Sequence, residues 1–384
     1  MPRALSVTPK PASPEDLEGE LADFVGACYD DPERWVMLAY PWGERGDLER
    51  FKGPDIWQRD ALKRLGDDVR ARKFNGVDAV KPIRLAVSKG HGVGGTTFAA
   101  WIADWIMSTR PRCRGTVTAN TATQLQTKTW AGIQYWTKLS ITRHWFEVNT
   151  MRFYRIGQRE SWFCAPQNSG ADNSEAFAGQ HAADSTSFYL IDEGSGVPRV
   201  IYEVAEGGLT DGEPLIIVMG NATRRDGAFY DMCFGEGRAL WKPVIVDSRT
   251  SQFANQEQIA EWKETYGEDS DWFRVRVRGL APRASDVQFI DQDRVYEAQR
   301  REVVVLPDDP LVAAADLAWG GDDLNVIRFR RGRDARSVPP IVIPGEFTRD
   351  PSILTNRLSD VLTTTYNGQK VAMLFLDSAG IAGQ

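Results

Sequence analysis

The stretch LAVSKGHGVGGTT, residues 85–97, decides the fold of this chain. An apolar run that ends at Val87 enters it, and the apolar segment FAAWIADWIM, residues 98–107, follows it and is long enough for a helix. A strand, a glycine-rich loop and a helix in this order are the context of a phosphate-binding loop. Glycines let the main chain turn tightly and approach phosphate oxygens, while the first amides of the helix face the anion. We therefore predict a nucleotide site at this loop.

One position departs from the usual pattern of such loops. The pattern ends in Gly-Lys-Ser/Thr, and Gly95 stands where the lysine is expected. The nearby ammonium group belongs to Lys89, at the start of the loop. Two interpretations follow from the sequence: the phosphate charge comes from a displaced lysine, or the loop has lost its activity.

Composition is typical of an ordinary globular protein. The chain has 384 residues, enough for two or more domains that each bury a core, with 42% hydrophobic and 26% charged residues. The net charge of −7 gives no overall basic character, although a local basic groove can still bind DNA. The cysteines lie far apart without a CxxC motif, which favours reduced core thiols over disulfides or a zinc site.

Neither a targeting segment nor a membrane span is predicted. The N-terminal residues MPRALSVTPKPASPED lack an apolar core of signal-peptide length. The longest apolar run, residues 98–107, contains Asp104 and is too short to cross a bilayer. We expect a soluble cytoplasmic protein that makes no membrane contact.

Two predictions concern the region before the loop. The apolar pattern from Leu17 to about Met37 predicts one amphipathic helix. Trp57 and Gln58 precede a second predicted helix, and in many P-loop motors an aromatic–glutamine pair at this place holds adenine. The glutamine amide suits this role because it offers one donor and one acceptor to the base edge. The alternative is an ordinary glutamine on the protein surface.

An acidic pair follows a later apolar strand. The run from Phe188 to Ile191 predicts a buried strand that ends in Asp192 and Glu193. This arrangement is typical of a Walker B motif, in which the aspartate holds Mg²⁺ and the glutamate orients and activates the attacking water. The alternative is a pair of surface acids at the start of a loop.

Polar residues also follow two other predicted strands. The strand from Leu215 to Met219 leads to Asn221 and Thr223, which are candidates for sensing a γ-phosphate. Arg224 is a candidate for reporting that phosphate or for contacting DNA. Residues 120–123 follow an earlier strand and predict a helix cap, and a DNA contact at this turn is the alternative.

The C-terminal third carries a second set of acidic residues. A predicted strand from Leu311 to Ala315 delivers Asp316, and a later apolar strand delivers Asp377. Aspartates at the ends of neighbouring buried strands are the layout of RNase H-like nucleases, in which carboxylates hold two Mg²⁺ or Mn²⁺. Asp323 or Asp322 could contribute, and the alternative is that these acids only cap strand ends. A third carboxylate normally comes from a later helix. Only seven residues follow Asp377 in this sequence, so we expect an incomplete module.

Taken together, these motifs resemble the large terminase subunit of tailed bacteriophages and prophages. The resemblance runs from about Trp57 to Asp377, and its most specific segments are TANTATQLQTKTW, SEAFAGQHA and LIDEGSGVP. It implies an ATP-driven motor that packages double-stranded DNA into a procapsid and a metal-dependent endonuclease that cuts the concatemer. It also implies a homo-oligomeric ring on the portal protein, fed by a small terminase subunit, in the host cytoplasm.

The resemblance also implies roles for individual residues. Some members carry a displaced lysine at the start of the loop, so Lys89 becomes the candidate for the phosphate charge. A lysine stem is flexible enough to bring its point charge to the same phosphates. Thr96 is then the candidate for the Mg²⁺ hydroxyl, with ATP and Mg²⁺ as cofactors. The predicted nucleotide-binding residues are Gln58, Lys89, Gly90, His91, Gly92, Val93, Gly94, Gly95, Thr96 and Thr97; the predicted catalytic residues are Lys89, Glu193, Asp316 and Asp377.

The predicted fold class is α/β, with a P-loop (RecA/ASCE-like) ATPase domain around a mostly parallel sheet. An RNase H-like α/β nuclease domain, truncated at its C-terminus, is expected after it. The predicted boundaries are 1–50 for an N-terminal tail and helical segment, 51–285 for the ATPase domain with its linker, and 286–384 for the nuclease domain. Two alternatives remain: a non-catalytic prophage remnant, and a P-loop motor of the helicase type, which would need a second RecA-like domain.

Overall fold

The computed structural model describes residues 13–170, 174, 177, 181–283, 298–318 and 323–377. The chain forms two compact units, which divide between Asp291 and Gln292. The domain boundaries predicted at residues 50 and 285 stay predictions. Among the helices that the structure describes, none combines the length and apolar character that crossing a bilayer requires.

The first unit is built on an eight-stranded sheet. Its strands are β1 (Ile83–Lys89), β2 (Arg114–Ala119), β3 (Phe146–Val148), β4 (Phe153–Arg155), β5 (Phe163–Pro166), β6 (Ser187–Asp192), β7 (Leu215–Gly220) and β8 (Val244–Val246). The strand order is β3-β4-β5-β2-β6-β7-β1-β8. Every neighbouring pair from β5 to β8 in this order is parallel, while β4 pairs antiparallel with both β3 and β5. The predicted mostly parallel sheet is therefore confirmed.

The first unit also contains eleven α-helices among the residues that the structure describes. They are α1 (Pro14–Ala27), α2 (Pro32–Ala39), α3 (Ile56–Arg72), α4 (Gly95–Thr109), α5 (Ala122–Gln124), α6 (Ala131–Leu139), α7 (Arg199–Gly207), α8 (Gly227–Cys233), α9 (Arg238–Trp241), α10 (Gln256–Tyr266) and α11 (Asp271–Arg276). Helix α4 is buried along nearly its whole length. A helix that is apolar on all sides has to be enclosed by other elements, so α4 anchors the loop that precedes it to the core.

The structure corrects two details of the predicted helices. The single helix predicted from residue 17 to 37 is two helices, because Pro32 starts α2 and Asp31 caps it by accepting a hydrogen bond from the main-chain N–H of Arg34. Proline has no N–H to donate and clashes with the preceding turn, so it is favoured at the first position of a helix and not in its interior. Trp57 and Gln58 lie inside the first turn of α3 rather than before it.

The second unit contains a four-stranded sheet. Its elements are β9 (Leu311–Asp316), β10 (Leu324–Arg331), β11 (Ile341–Pro344), α12 (Pro351–Thr363), the short hairpin β12 (Thr365–Tyr366) and β13 (Gln369–Lys370), and β14 (Met373–Asp377). The sheet order is β11-β10-β9-β14, with β10 antiparallel to both of its neighbours and β14 parallel to β9. Strands β9, β10 and β11 form an antiparallel meander, and β14 lies parallel to β9 on its other side. This order agrees with the predicted RNase H-like α/β arrangement.

Candidate nucleotide site

The glycine-rich loop connects β1 to α4 as predicted. Gly92 and Gly94 have φ angles of +75° and +77°, in the left-handed region. A side chain at either position would be strained, which is the physical reason for glycine there. Gly94 is also the N-cap of α4. The loop therefore presents the start of a buried helix, where main-chain N–H groups favour an anion.

The side chain of Lys89 occupies the space at Gly95. A Cβ added to Gly95 would lie 2.5 Å from Lys89 Cε and 2.7 Å from Lys89 Cδ. Lys89 is only 8% exposed, so its stem has little freedom to move aside. Gly95 therefore lacks a side chain at the point where the stem of the displaced lysine crosses the helix start.

The ammonium group of Lys89 reaches the end of β6. Its Nζ lies 3.5 Å from Glu193 Oε1. Glu193 has a φ angle of 51°, an uncommon main-chain conformation for a residue with a side chain. The structure thus brings together the two residues for which the sequence predicted a charge-donating and a water-activating role.

Asp192 is buried and accepts three hydrogen bonds. Its Oδ1 accepts one from the main-chain N–H of Glu193 at 3.0 Å. Its Oδ2 accepts one from Thr96 Oγ1 and one from Thr129 Oγ1, each at 3.0 Å. The carboxylate is therefore held in one orientation beside the first turn of α4.

The pair formed by Thr96 and Asp192 has the chemistry that Mg²⁺ requires. Hard cations take oxygen ligands, and in nucleotide sites Mg²⁺ is bound by one or two protein oxygens together with phosphates and waters. Thr96 donates a hydrogen bond to Asp192 through its hydroxyl group. The lone pairs of the Thr96 hydroxyl oxygen therefore stay available to a cation. The residues present thus fit the ion that the resemblance implies.

Thr129 is a site residue that the sequence did not single out. It lies in a π-helical turn, Leu125–Trp130, between α5 and α6. The segment TKTW, residues 127–130, places Thr129 in a predicted helix. The segment alone does not predict which face of that helix Thr129 occupies. The orientation depends on the π turn, which no local pattern in the sequence signals.

Gln58 is buried against the loop, and its predicted contact with adenine stays a prediction. The residue is 0% exposed, and both polar atoms of its amide are engaged by the main chain. Oε1 accepts from the N–H of Asp55 at 2.8 Å, and Nε2 donates to the carbonyl of Gly94 at 3.0 Å. Trp57 Nε1 donates to the carbonyl of Val93 at 3.1 Å. The Trp–Gln pair therefore supports the loop through two of its carbonyl groups.

A cavity of about 560 Å³ opens between the start of α3 and residues 249–256. The second of these segments also contacts the loop, because a Cβ on Gly94 would lie 3.8 Å from Phe253 and one on Gly92 would lie 3.7 Å from Ala254. Residues that line the cavity include Lys52, Pro54, Ile56, Arg59, Arg249 and Gln252. The cavity is large enough for a nucleobase, and one of the two segments that line it contacts the loop.

The predicted sensor residues lie at the end of β7. Asn221 is buried and donates from Nδ2 to the carbonyl of Lys89 at 2.6 Å. Thr223 Oγ1 lies 3.3 Å from Ser195 Oγ, and Arg224 is exposed. Asn221 thus contacts the loop through the main chain of Lys89, and the sensing roles of Asn221, Thr223 and Arg224 stay predictions.

The polar turn after β2 caps a helix as predicted. Thr121 accepts a hydrogen bond from the main-chain N–H of Gln124 at 3.2 Å. Asn120 packs against Gly196, where an added Cβ would lie 2.3 Å from its side chain. A DNA contact at this turn stays a prediction.

In the second unit, the predicted metal-binding aspartates share one edge of the sheet. Asp316 and Asp377 are register partners at the ends of the parallel strands β9 and β14. Asp323 precedes β10, which is antiparallel to β9, so it lies at the same end. Asp322 lies outside the described residues. Within the described part of the chain, no three His, Cys, Asp or Glu side chains converge to hold a metal ion.

Comparisons with known proteins bear on these assignments. No protein-family model matches the sequence. A curated protein, "Probable terminase, large subunit" of Enterobacteria phage P7, is 27% identical over 320 residues, which are 79% of this chain. The chain spans 62% of the length of that relative.

Solved structures of low sequence identity were also found. The large terminase of a thermophilic bacteriophage is 10% identical with a TM-score of 0.46, over 85% of this chain and 78% of that one. The large terminase ATPase domain of a Thermus phage is 16% identical with a TM-score of 0.36, over 52% of this chain and 88% of that one. The sequence similarity to the phage P7 protein confirms that the chain resembles a large terminase subunit.

Proposed function

We propose that the first unit is an ATPase that drives the packaging of double-stranded DNA, as the motor part of a terminase large subunit. The observation that carries this proposal is the fit between Lys89 and Gly95. In a loop without function, nothing would maintain both a buried lysine at position 89 and the absence of a side chain at position 95. The fit therefore favours a working site over a non-catalytic remnant.

Each residue of the site has a chemical task in this proposal. The loop amides hold the β- and γ-phosphates, and Lys89 supplies a positive charge where negative charge develops. Glu193 orients the attacking water and accepts its proton. Mg²⁺ bound with the nucleotide supplies further positive charge to the phosphates, and Thr96 and Asp192 would hold it. The base would occupy the cavity between α3 and residues 249–256.

The partners follow from the proposed identity. A packaging motor acts on double-stranded DNA at a procapsid, so we propose a homo-oligomeric ring that docks on a portal protein and receives DNA from a small terminase subunit. This part rests on the similarity to the phage P7 protein, which is named a probable terminase large subunit.

The experiment is ATP hydrolysis by the purified chain, with and without double-stranded DNA. We expect Mg²⁺-dependent turnover that DNA stimulates and that Glu193→Gln abolishes. Binding of a fluorescent ATP analogue is measured in parallel, because Glu193→Gln should still bind it. If the parent chain neither binds nor hydrolyses ATP under any of these conditions, the proposal is wrong.

A second candidate function belongs to the second unit. We propose a metal-dependent endonuclease site built on Asp316 and Asp377, and the register pairing of these two residues favours it. Carboxylates on neighbouring strand ends suit two Mg²⁺ or Mn²⁺ that stabilise the attacking and leaving oxygens of a phosphodiester. The test is nicking of supercoiled plasmid in Mn²⁺, with Asp316→Asn as the matched variant. Equal nicking by both proteins would exclude this site as its source.

A further inference from the structure

The Asp192 carboxylate accepts one hydrogen bond from a residue outside both the phosphate loop and the end of β6. Thr129 Oγ1 donates to Oδ2 at 3.0 Å. Thr129 is 1% exposed, so water does not replace this hydrogen bond when it is lost. Burying a hydroxyl group costs free energy unless it is paired, and Asp192 is the partner that Thr129 has in the structure.

A π-helical turn places this hydroxyl. Leu125–Trp130 forms the turn, and π-helical turns in proteins are often found at functional sites. Trp130 anchors the turn by donating from Nε1 to the carbonyl of Asn149 at 2.7 Å. Because a π turn holds more residues than an α turn, it changes which residue of the TKTW segment faces the sheet. The local geometry therefore determines that Thr129 faces Asp192.

The same segment also contacts the loop threonine. A Cβ on Gly132, which lies in α6, would be 3.3 Å from Thr96 Cγ2. Gly132 follows Thr129 by three positions, just after the π turn ends. The segment from Thr129 to Gly132 thus contacts both residues that would hold Mg²⁺, Thr96 and Asp192.

We propose that Thr129 is a positioning residue of the nucleotide site. Without Thr129, the carboxylate of Asp192 would keep Thr96 as the one side-chain donor on Oδ2. The second hydroxyl and the main-chain N–H of Glu193 hold it in one orientation, with Thr96 ready to share the cation. This inference rests on the proposed ATPase function, and it assigns to Thr129 the task of keeping affinity for the Mg²⁺–nucleotide complex.

The experiment compares nucleotide affinity with and without the cation. Fluorescent ADP is titrated into the full chain in Mg²⁺ and again in EDTA, for the parent, Thr129→Val and Thr129→Ser. We expect Thr129→Val to weaken binding in Mg²⁺ by about tenfold, the lower end of the effect of losing an outer partner of a metal ligand. Binding in EDTA should stay within about twofold, and Thr129→Ser should restore binding in Mg²⁺ because it keeps the hydroxyl.

Thr137→Val is the matched control. Thr137 is also buried, on the next helix, and its Oγ1 has no hydrogen-bond partner among the described residues. This variant makes the same change of side chain without removing a hydrogen bond, so its affinity in Mg²⁺ should equal that of the parent. Thermal melting without ligand, measured for every variant, shows which of them are folded.

Three outcomes would overturn the inference. Equal weakening of Thr129→Val in Mg²⁺ and in EDTA would assign Thr129 a purely structural role. If Thr129→Ser binds as poorly as Thr129→Val, the hydroxyl group is not what matters at this position. If Thr129→Val binds like the parent, Thr129 has no role in nucleotide binding. A parent chain that binds no nucleotide would remove the proposed ATPase function itself, which distinguishes that failure from the failure of Thr129.

Discussion

The stem of Lys89 lies directly against the main chain of Gly95, 2.5 Å from the place where a Cβ would be. The two positions are therefore complementary: one supplies the lysine, and the other leaves out a side chain so that the lysine can pass. The ammonium group then lies 3.5 Å from Glu193 Oε1, just after the end of β6. The departure from the usual loop pattern is thus a pair of matched changes.

Lys89→Ala should remove most of the ATPase activity. The variant loses a positive charge at a partly dry site where charge develops in the transition state, and such losses cost about a hundredfold or more in rate. The measurement is steady-state ATP turnover in Mg²⁺ with DNA present. Lys81→Ala, which removes an exposed lysine just before β1, is the control and should be unaffected. Turnover that survives Lys89→Ala would rule out Lys89 as the phosphate lysine.

Gly95→Ala should also reduce activity, although it removes no functional group. Its Cβ would require the Lys89 stem to move, because two stem atoms lie within 2.7 Å of it. The control is Gly26→Ala in α1, where an added Cβ meets nothing within 4 Å. We expect loss of turnover in the first variant and parental turnover in the second.

The double variant Lys89→Ala/Gly95→Lys should recover part of the activity that Lys89→Ala loses. Removing the stem frees the space at residue 95, and a lysine there recreates the usual Gly-Lys-Thr pattern. Turnover of the double variant is compared with that of each single variant. If the double variant is no better than Lys89→Ala, the two lysine positions are not equivalent.

Gln58→Ala should destabilise the loop without changing the choice of base. It leaves the carbonyl of Gly94 and the N–H of Asp55 without their present partners, and each buried unpaired group costs about 1–3 kcal/mol. The unfolding midpoint in urea should fall, while the ratio of ATP to GTP affinity should stay at the parental value. A changed ratio would show that Gln58 reads the base after all.

Asp104→Asn should stabilise the protein in a pH-dependent way. Asp104 lies inside α4 with 0% exposure, and its burial raises the pKa of the carboxyl to about 7. Between about pH 4 and pH 7 the unfolded chain loses this proton while the folded chain keeps it, so stability falls as the pH rises through that window. The full penalty, roughly 4 kcal/mol by the free energy of a pKa shift from 3.8 to about 7, is present above pH 7.

The measurement is the free energy of unfolding of the parent and of Asp104→Asn at pH 5 and pH 8. The advantage of Asp104→Asn should be larger at pH 8, because asparagine carries no charge and Tyr40 can still donate to its side-chain oxygen. Asp23→Asn, at an exposed position of α1, is the control and should show no such difference. An advantage that is equal at both pH values would contradict the assignment of the charge to Asp104.

The main elements of the site could be read from local patterns. β6 and β7 were predicted to within a residue because each is a short apolar run followed by polar residues. The ends of helix α10 also carry local signals, since Asn255 caps its start and Gly267 follows its end. The phosphate loop was recognisable because its glycines serve a conformational need that no other residue meets.

Other features could not be predicted, because they depend on which side chains meet across long separations. The sequence does not show that the amide of Gln58 is buried and hydrogen-bonded to the main chain of Gly94 and Asp55. The break before Pro32 was available in the sequence as a proline signal, but the apolar pattern ran across it. Asn221 was placed correctly at its strand end, yet its hydrogen bond to the carbonyl of Lys89 required the parallel pairing of β1 with β7.

By itself, the sequence determined the parallel sheet, the loop and the acidic strand ends, because these follow from the order of apolar runs and from the residue types at their ends. Only the tertiary structure decided which side chain fills the space at Gly95 and which hydroxyl groups hold Asp192. Both depend on packing: the stem of Lys89 fills the space at Gly95, and a π-helical turn directs Thr129 to the carboxylate. Such contacts arise from the shapes of elements that are far apart in the chain, which no local pattern encodes.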